Sequence, residues 1–414
     1  MNGQRDLGLT APASPSAGNG AGAGALALML GGGGARGAYQ AGVLRGIARR
    51  FPGLRFPIMT GISAGAINTI HLASRDVSLG QATGELLALW LSLTPERVYD
   101  VRAMPLLQNV IRWGAQLLSG GARGGSQPIR GMVDTEPLRR LLGRSLEHGA
   151  DGTLPGIARN IARGSLHAVA LSATSYATGQ SMTWVEGREI SLWQRQQRRS
   201  ESTRLTVEHV MASSALPMLF PAVRVGDQWF GDGGIRLTAP LSPALHLGAT
   251  RILTISTRHR PTNPAAIVAG SGGYPPPAQV FGVLYNSVFL DLIDEDILRL
   301  KRVNRLLANL PPEKRAGMRV VDIMVIRPSQ DLRALVRELE PRLPSFVRYL
   351  TRGLGTQRTT NPDFLSLLMF QTDYIRRLIE LGEADAEAQA DNFSAFLHRP
   401  VQVDDCHVQP RAPV

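Results

Sequence analysis

One serine in this chain has the neighbours that a nucleophile requires. Ser63 lies at the centre of the sequence GISAG, between Gly61 and Gly65. An apolar run over residues 56–60 predicts a buried strand just before it, and residues 64–73 have a helical pattern. A serine on a sharp strand-to-helix turn between small residues presents its hydroxyl to a carbonyl carbon. We therefore predict that Ser63 is a nucleophile and that Gly61 and Gly65 allow the tight elbow.

The sequence offers two kinds of base for this serine. Asp232 lies between Gly231 and Gly233, and a desolvated or closely hydrogen-bonded carboxylate is basic enough to accept a serine proton. An Asp-Gly pair is also typical of an ordinary β-turn. Among the eight histidines, His259 follows a predicted strand and is the best candidate for a histidine base. On the residues alone, a carboxylate base and a histidine-dependent carboxylesterase both remain open.

A glycine-rich loop supplies backbone hydrogen-bond donors. Residues 31–37 read GGGGARG, after an apolar run at residues 25–30 and before a helical pattern at residues 38–50. Glycines leave backbone N–H groups uncovered and the helix start adds positive partial charge, so the loop suits a phosphate or an oxyanion. The loop also fits the G-x-G-x-x-G pattern of nucleotide-binding proteins, but that pattern expects an acid about 20 residues later. The next acid is Asp76. A purely structural tight turn is a further interpretation.

Together, these motifs resemble those of the patatin-like phospholipases. GGGARG at residues 32–37 matches the family's G-G-G-x-R-G, GISAG matches its G-x-S-x-G, and DGG at residues 232–234 matches its D-G-[GA]. ASSALP at residues 212–217 and FP at residues 220–221 match its A-S-x-A-x-P and F-P segments. Four motifs in the family's order are far more specific than any one of them. The resemblance covers residues 25–258.

The resemblance implies a catalytic site and a reaction. Ser63 is then the nucleophile, and Asp232 completes a Ser–Asp dyad without a histidine. The glycine loop provides the oxyanion hole for two-step hydrolysis of lipid carboxylic esters through an acyl-enzyme, as in a phospholipase A or a lysophospholipase. The resemblance implies no organic cofactor and no metal ion. The residues that it assigns to the oxyanion hole are Gly32, Gly33, Gly34, Ala35 and Arg36.

Apolar runs alternate with helical patterns along the chain, which predicts an α/β fold with a mostly parallel sheet covered on both faces. The resemblance implies a three-layer patatin-like fold with a C-terminal helical extension. We expect a disordered Gly/Ala-rich leader at residues 1–24, a catalytic domain at 25–258 and a C-terminal part at 259–414 that packs on it. Strands are predicted at residues 25–30, 56–60, 166–174, 181–185, 251–256 and 320–326, and helices at 38–50, 64–73, 79–91, 135–142, 206–213, 280–310, 330–352 and 363–381.

Charge and composition restrict the partners and the location. The chain carries 45 basic and 33 acidic residues, for a net charge of +12, and its single cysteine, Cys406, excludes an internal disulfide. No nucleic-acid-binding motif accompanies the charge, so we expect a lipid or acyl-ester substrate, peripheral contact with an anionic membrane and no nucleic acid. No run reaches the ~18 uncharged apolar residues of a membrane-spanning helix. With no clear signal peptide, we expect a cytoplasmic protein at the inner membrane face. The amphipathic residues 101–118 are either an interfacial lid or core packing.

Overall fold

The structure of the protein is a computed structural model. It describes residues 25–100, 131–260, 279–280, 282–284, 292–339 and 363–399. The predicted leader at residues 1–24 and the amphipathic segment at residues 101–118 lie outside these residues, as does most of the Pro/Gly-rich stretch from 260 to 279.

One sheet of ten strands organises the described part of the chain. The strands are β1 (Leu26–Leu30), β2 (Ile58–Ile62), β3 (Ala168–Ser175), β4 (Ser181–Gly187), β5 (Gln194–Arg195), β6 (Arg198–Ser202), β7 (Val223–Val225), β8 (Gln228–Asp232), β9 (Arg251–Ile255) and β10 (Asp322–Ile326). Their order in the sheet is β10-β9-β1-β2-β3-β4-β6-β5, and β8 pairs with β3 on one side and with β7 on the other.

The centre of the sheet is parallel, as predicted. Strands β10, β9, β1, β2 and β3 run in the same direction, while β4 and β8 are antiparallel to β3. Leu30 at the end of β1 is opposite Gly61, and Ile62 at the end of β2 is opposite Ser172. The carboxyl ends of β1 and β2 therefore meet at one edge of the sheet, where open α/β sheets place their ligands.

Helices cover both faces of the sheet and enclose two hydrophobic cores, which confirms the predicted layers. One core packs under the helices at residues 37–50, 64–74, 79–91 and 372–388, and the other packs under those at residues 242–246 and 292–308. The helices are α1 (Gly37–Arg50), α2 (Ala64–Ser74), α3 (Leu79–Leu91), α4 (Pro95–Val98), α5 (Glu136–Ser145), α6 (Pro155–Ala162), α7 (Val207–Ser213), α8 (Ser242–His246), α9 (Leu292–Ala308), α10 (Leu332–Leu339), α11 (Asp363–Leu368), α12 (Thr372–Ala388) and α13 (Ala390–His398).

Several elements differ from the sequence-based predictions, and three of the differences concern the region around the serine elbow. The strand predicted at residues 56–60 starts two residues later because Pro57 has no N–H for a ladder hydrogen bond, and it extends to Ile62, directly before Ser63. The helix predicted at residues 363–381 is two helices, α11 and α12, with a break at residues 369–371. Asp232 ends strand β8 and does not lie in a β-turn.

Candidate active site

The serine elbow joins β2 to α2. Ser63 is the N-cap of α2 and has φ 57° and ψ −128°, a conformation that non-glycine residues rarely adopt. Such a residue costs roughly 1–3 kcal/mol and persists only where its surroundings hold it. A side chain at Gly65 would collide with the carbonyl oxygen of Leu30, so the first turn of α2 lies directly against the end of β1. The elbow thus places Ser63 next to the glycine loop that follows β1.

Two further serines hold the backbone of this elbow. The N–H of Ser63 donates to Ser213 Oγ at 3.1 Å, and its carbonyl accepts from Ser214 Oγ at 2.9 Å. Ser213 Oγ donates in turn to the carbonyl of Ser172 in β3, at 2.7 Å. Sequence reasoning did not assign these roles to Ser213 and Ser214. The only signal was that both lie in the ASSALP segment that resembles the family.

The same segment and strand hold Asp232. The N–H of Asp232 donates to the carbonyl of Ala215 at 2.9 Å, and its carbonyl accepts from Thr174 Oγ1 at 2.9 Å. Its carboxylate atom Oδ1 accepts from the N–H of Gly234 at 2.9 Å, and the whole residue is buried. Residues 213–215 therefore fix both the serine elbow and the aspartate strand.

Burial raises the pKa of Asp232 to about 7, although the Ser63 hydroxyl and the N–H of Gly234 both act to lower it. The structure thus brings the two residues predicted from the sequence into interaction. Atom Oδ2 of Asp232 makes no hydrogen bond of normal geometry among the described residues. The Ser63 hydroxyl therefore lies near the carboxyl group without a well-formed hydrogen bond to this atom. A carboxyl group with this pKa is ionised above neutral pH and is a much stronger base than an exposed aspartate.

The glycine loop lies next to Ser63. A Cβ on Gly32 would stand 3.2 Å from Ser63 Cβ, and Gly34 has φ 54° and no room for a side chain beside the carbonyl of Leu367. The N–H of Arg36 donates back to the carbonyl of Gly33 at 3.0 Å. Its buried guanidinium bonds Ser366 in α11, with Nε to Oγ at 2.7 Å. The side chain of Arg36 therefore holds the loop against α11, and its backbone N–H is hydrogen-bonded within the loop.

The elbow is covered in this structure. Ser63 is 3% exposed, and a cavity of about 10 Å³ beside it has room for about one water molecule. Leu292 and Ile293, in the first turn of α9, line this cavity together with Gly32. A larger cavity of about 410 Å³ is lined by residues such as Arg139 and His148 and does not include the elbow.

None of the hydrogen bonds to Ser63 or Asp232 among the described residues involves a histidine. His259 Nδ1 lies 2.9 Å from the carbonyl of Pro328, and no histidine contributes to the pKa of Asp232. His209 bonds Thr206 in the capping box of α7. His71 is buried within α2, where desolvation lowers its pKa to about 4. The histidine base considered from the sequence therefore has no support in the geometry of the elbow.

Neither a metal-ligating cluster nor a membrane-spanning helix is found in the described ranges. Within them, no group of three or more His, Cys, Asp or Glu side chains is arranged to hold a metal ion. None of the helices in the same ranges combines the length and the apolar character needed to cross a bilayer.

Comparison with known proteins gives a family match. A family model described as patatin-like phospholipase matches residues 28–245, which is more than half of the chain and includes the elbow, the glycine loop and Asp232. Comparison with the curated proteins gives no match.

Several solved structures are similar at low identity. VipD from Legionella pneumophila is 13% identical, with a TM-score of 0.31, and the match covers 86% of this chain and 66% of VipD. The human GIVD cytosolic phospholipase A2, in complex with methyl gamma-linolenyl fluorophosphonate and terbium chloride, is 12% identical, with a TM-score of 0.42 and coverages of 90% and 59%. ExoU of the Pseudomonas aeruginosa type III secretion system, in complex with SpcU, is 15% identical, with a TM-score of 0.26 and coverages of 90% and 78%. The chain thus spans less than two thirds of the length of the first two.

Proposed function

The chain belongs to the patatin-like phospholipase family, and on that premise we propose that it hydrolyses lipid carboxylic esters with Ser63 as nucleophile and Asp232 as base. The observation that carries this proposal is the pairing of a strained serine with a fully buried carboxyl group whose pKa is raised to about 7. A carboxylate tuned to neutral pH needs no histidine to accept the serine proton.

The reaction proceeds in two steps. Asp232 accepts the hydroxyl proton while Ser63 Oγ attacks the ester carbonyl carbon, and the protonated Asp232 then gives that proton to the departing alcohol. This leaves an acyl-serine. A water molecule next gives a proton to Asp232 and attacks the acyl carbon, after which the proton returns to Ser63 Oγ as the fatty acid leaves. Each step conserves the single proton that the two residues share.

We assign the oxyanion hole to the backbone N–H groups of Gly32, Gly33, Gly34 and Ala35. Two contacts support this choice over other donors near the serine. The N–H of Ser63 is engaged by Ser213 Oγ, and the N–H of Arg36 is engaged by Gly33. A donor of this kind typically lowers the barrier by roughly 3–4 kcal/mol.

The substrate that we propose is a phospholipid or lysophospholipid at a membrane surface. The family match supports lipid esters as the class, and the net charge of +12 favours an anionic surface. We propose peripheral contact with the cytoplasmic face of the membrane.

The test is fatty-acid release from phospholipid–detergent mixed micelles. Ser63→Ala and Asp232→Asn are each expected to reduce release to background while the circular dichroism spectrum stays that of the wild type. Ser202→Ala and Asp391→Asn make the same chemical changes at exposed positions and are the matched controls. Normal release by either dyad variant would overturn the proposal.

A further inference from the structure

The β7–β8 hairpin extends past the edge of the sheet that holds the elbow. Strand β2 ends opposite Ser172, but β3 continues for three more residues and pairs there with β8, from Ala173 opposite Asp232 to Ser175 opposite Phe230. Because β8 is antiparallel to β3, its earlier residues and the hairpin turn lie still farther out. The hairpin therefore projects on the side of the molecule where Ser63 follows β2.

One face of this projection carries two exposed aromatic rings. Trp229 is opposite Arg224 in the hairpin, and the N–H of Tyr176 donates to the carbonyl of Trp229 at 2.9 Å. Directly opposed residues of an antiparallel pair share a face, so Arg224 and Trp229 lie on the same side. Tyr176 is 50% exposed and Trp229 is 44% exposed, although rings of this size usually lie largely inside a protein.

The structure holds Tyr176 on this surface. A side chain at Gly231 would collide with the Tyr176 hydroxyl, so the tyrosine lies across the strand one residue before Asp232. Burial raises the pKa of Tyr176, and the nearby charge of Asp232 raises it further. The ring is thus fixed in place and adjacent to the dyad.

Arginines flank the aromatic rings. Arg224 Nε donates to the carbonyl of Gly226 at 3.1 Å. Arg236 Nε donates to the carbonyl of Gly179, three residues after Tyr176, at 2.8 Å. Both arginines are exposed. Asp227 at the hairpin turn is exposed as well, and Arg224, Arg236 and Asp227 together carry a net positive charge.

We propose that this face, formed by Tyr176, Arg224, Trp229 and Arg236, docks on an anionic phospholipid bilayer. Tyrosine and tryptophan favour the headgroup region because each has an apolar ring and a polar tip. Arginine binds phosphate oxygens, and each basic residue near an anionic surface strengthens binding by about fivefold. A bilayer explains this face better than a free phosphate does, because the face lies at the same edge of the sheet as Ser63. The inference rests on the proposed function and deepens it, since it names the surface that brings the lipid to the elbow.

The test is co-sedimentation with vesicles of phosphatidylglycerol and phosphatidylcholine in equal parts. All proteins carry Ser63→Ala, so that vesicles are not consumed. The double variant Arg224→Ala/Trp229→Ala is expected to lose at least about tenfold in vesicle binding. The matched control, Arg302→Ala/Leu306→Ala, removes an exposed arginine and an exposed apolar residue from α9 and is expected to bind as the parent does. Arg224→Gln/Trp229→Ser serves if the first variant does not fold.

Equal binding by the docking variant and the control variant would overturn the proposal. So would loss of self-association with unchanged vesicle binding, because that result would assign the face to a second copy of the chain.

Hydrolysis of a water-soluble short-chain ester, measured with Ser63 intact, separates the docking proposal from the proposed function. The docking variant is expected to retain this activity. A wild-type protein that binds vesicles through this face but hydrolyses no ester would contradict the proposed function and support the docking surface.

Discussion

Replacing Asp232 by asparagine is expected to stabilise the fold at alkaline pH while it removes activity. Burial raises the pKa of this carboxyl group from 3.8 to about 7, so ionised Asp232 costs the folded state about 4 kcal/mol. The sign follows from proton binding: the folded state holds the proton more tightly, so stability is lost as pH rises from about 4 through 7. Asparagine stays neutral and can keep the hydrogen bond from the N–H of Gly234.

The assay is urea unfolding of the wild type and Asp232→Asn at pH 4 and at pH 8. Burial of the asparagine NH₂ costs about 1–3 kcal/mol at both pH values and cancels in the comparison. The variant is therefore expected to gain about 4 kcal/mol on the wild type between pH 4 and pH 8. Asp322→Asn is the matched control. Asp322 is buried but accepts two hydrogen bonds from Arg399, at 2.9 and 2.8 Å, so its replacement is expected to destabilise the protein at pH 8. A stability difference between Asp232→Asn and the wild type that does not change with pH would contradict the raised pKa of Asp232.

Three further predictions concern the same region. The kcat/KM for a soluble ester is expected to rise with pH and to level off above a midpoint of about 7, because Asp232 must be ionised to act as the base; a midpoint near 4 would contradict this. Ser213→Ala is expected to lower kcat at least about tenfold with little change in KM, since the elbow loses its amide partner, whereas the exposed Ser202→Ala is expected to have wild-type kinetics. Desolvation lowers the pKa of His71 from 6.5 to about 4, so the unfolded state binds more protons and the protein loses stability as the pH falls from 6.5 to 4. The loss approaches about 3 kcal/mol. Urea unfolding of His71→Leu is expected to show no such loss of stability.

The local parts of the site could be predicted from the sequence. The serine elbow is a strand, a tight turn and a helix in immediate succession, and the glycine loop repeats that arrangement between β1 and α1. Apolar runs, glycines and helical periodicity are all short-range signals, so both segments were located within two residues. The family match confirms the resemblance that the four motifs carried.

The parts that depend on distant contacts could not be predicted from residue patterns. Spacing does not show that β8 pairs with β3 and so brings Asp232 to Ser63, and only the resemblance implied their pairing. The hydroxyls of Ser213 and Ser214 hydrogen-bond the backbone of Ser63, about 150 residues earlier in the chain. No periodic pattern in the sequence predicts a contact of this kind. The amphipathic pattern around Ile293 predicts packing, but it does not specify that this helix lines the small cavity next to Gly32 and Ile62.

The most direct test of Ser63 as the nucleophile is covalent labelling with a fluorophosphonate, which forms a stable bond to an activated serine oxygen. Peptide mass mapping of the wild type is expected to show one adduct, on Ser63, with labelling strongly slowed in Asp232→Asn and absent in Ser63→Ala. An adduct on another residue, or undiminished labelling of the Ser63→Ala protein, would contradict the assignment of the nucleophile.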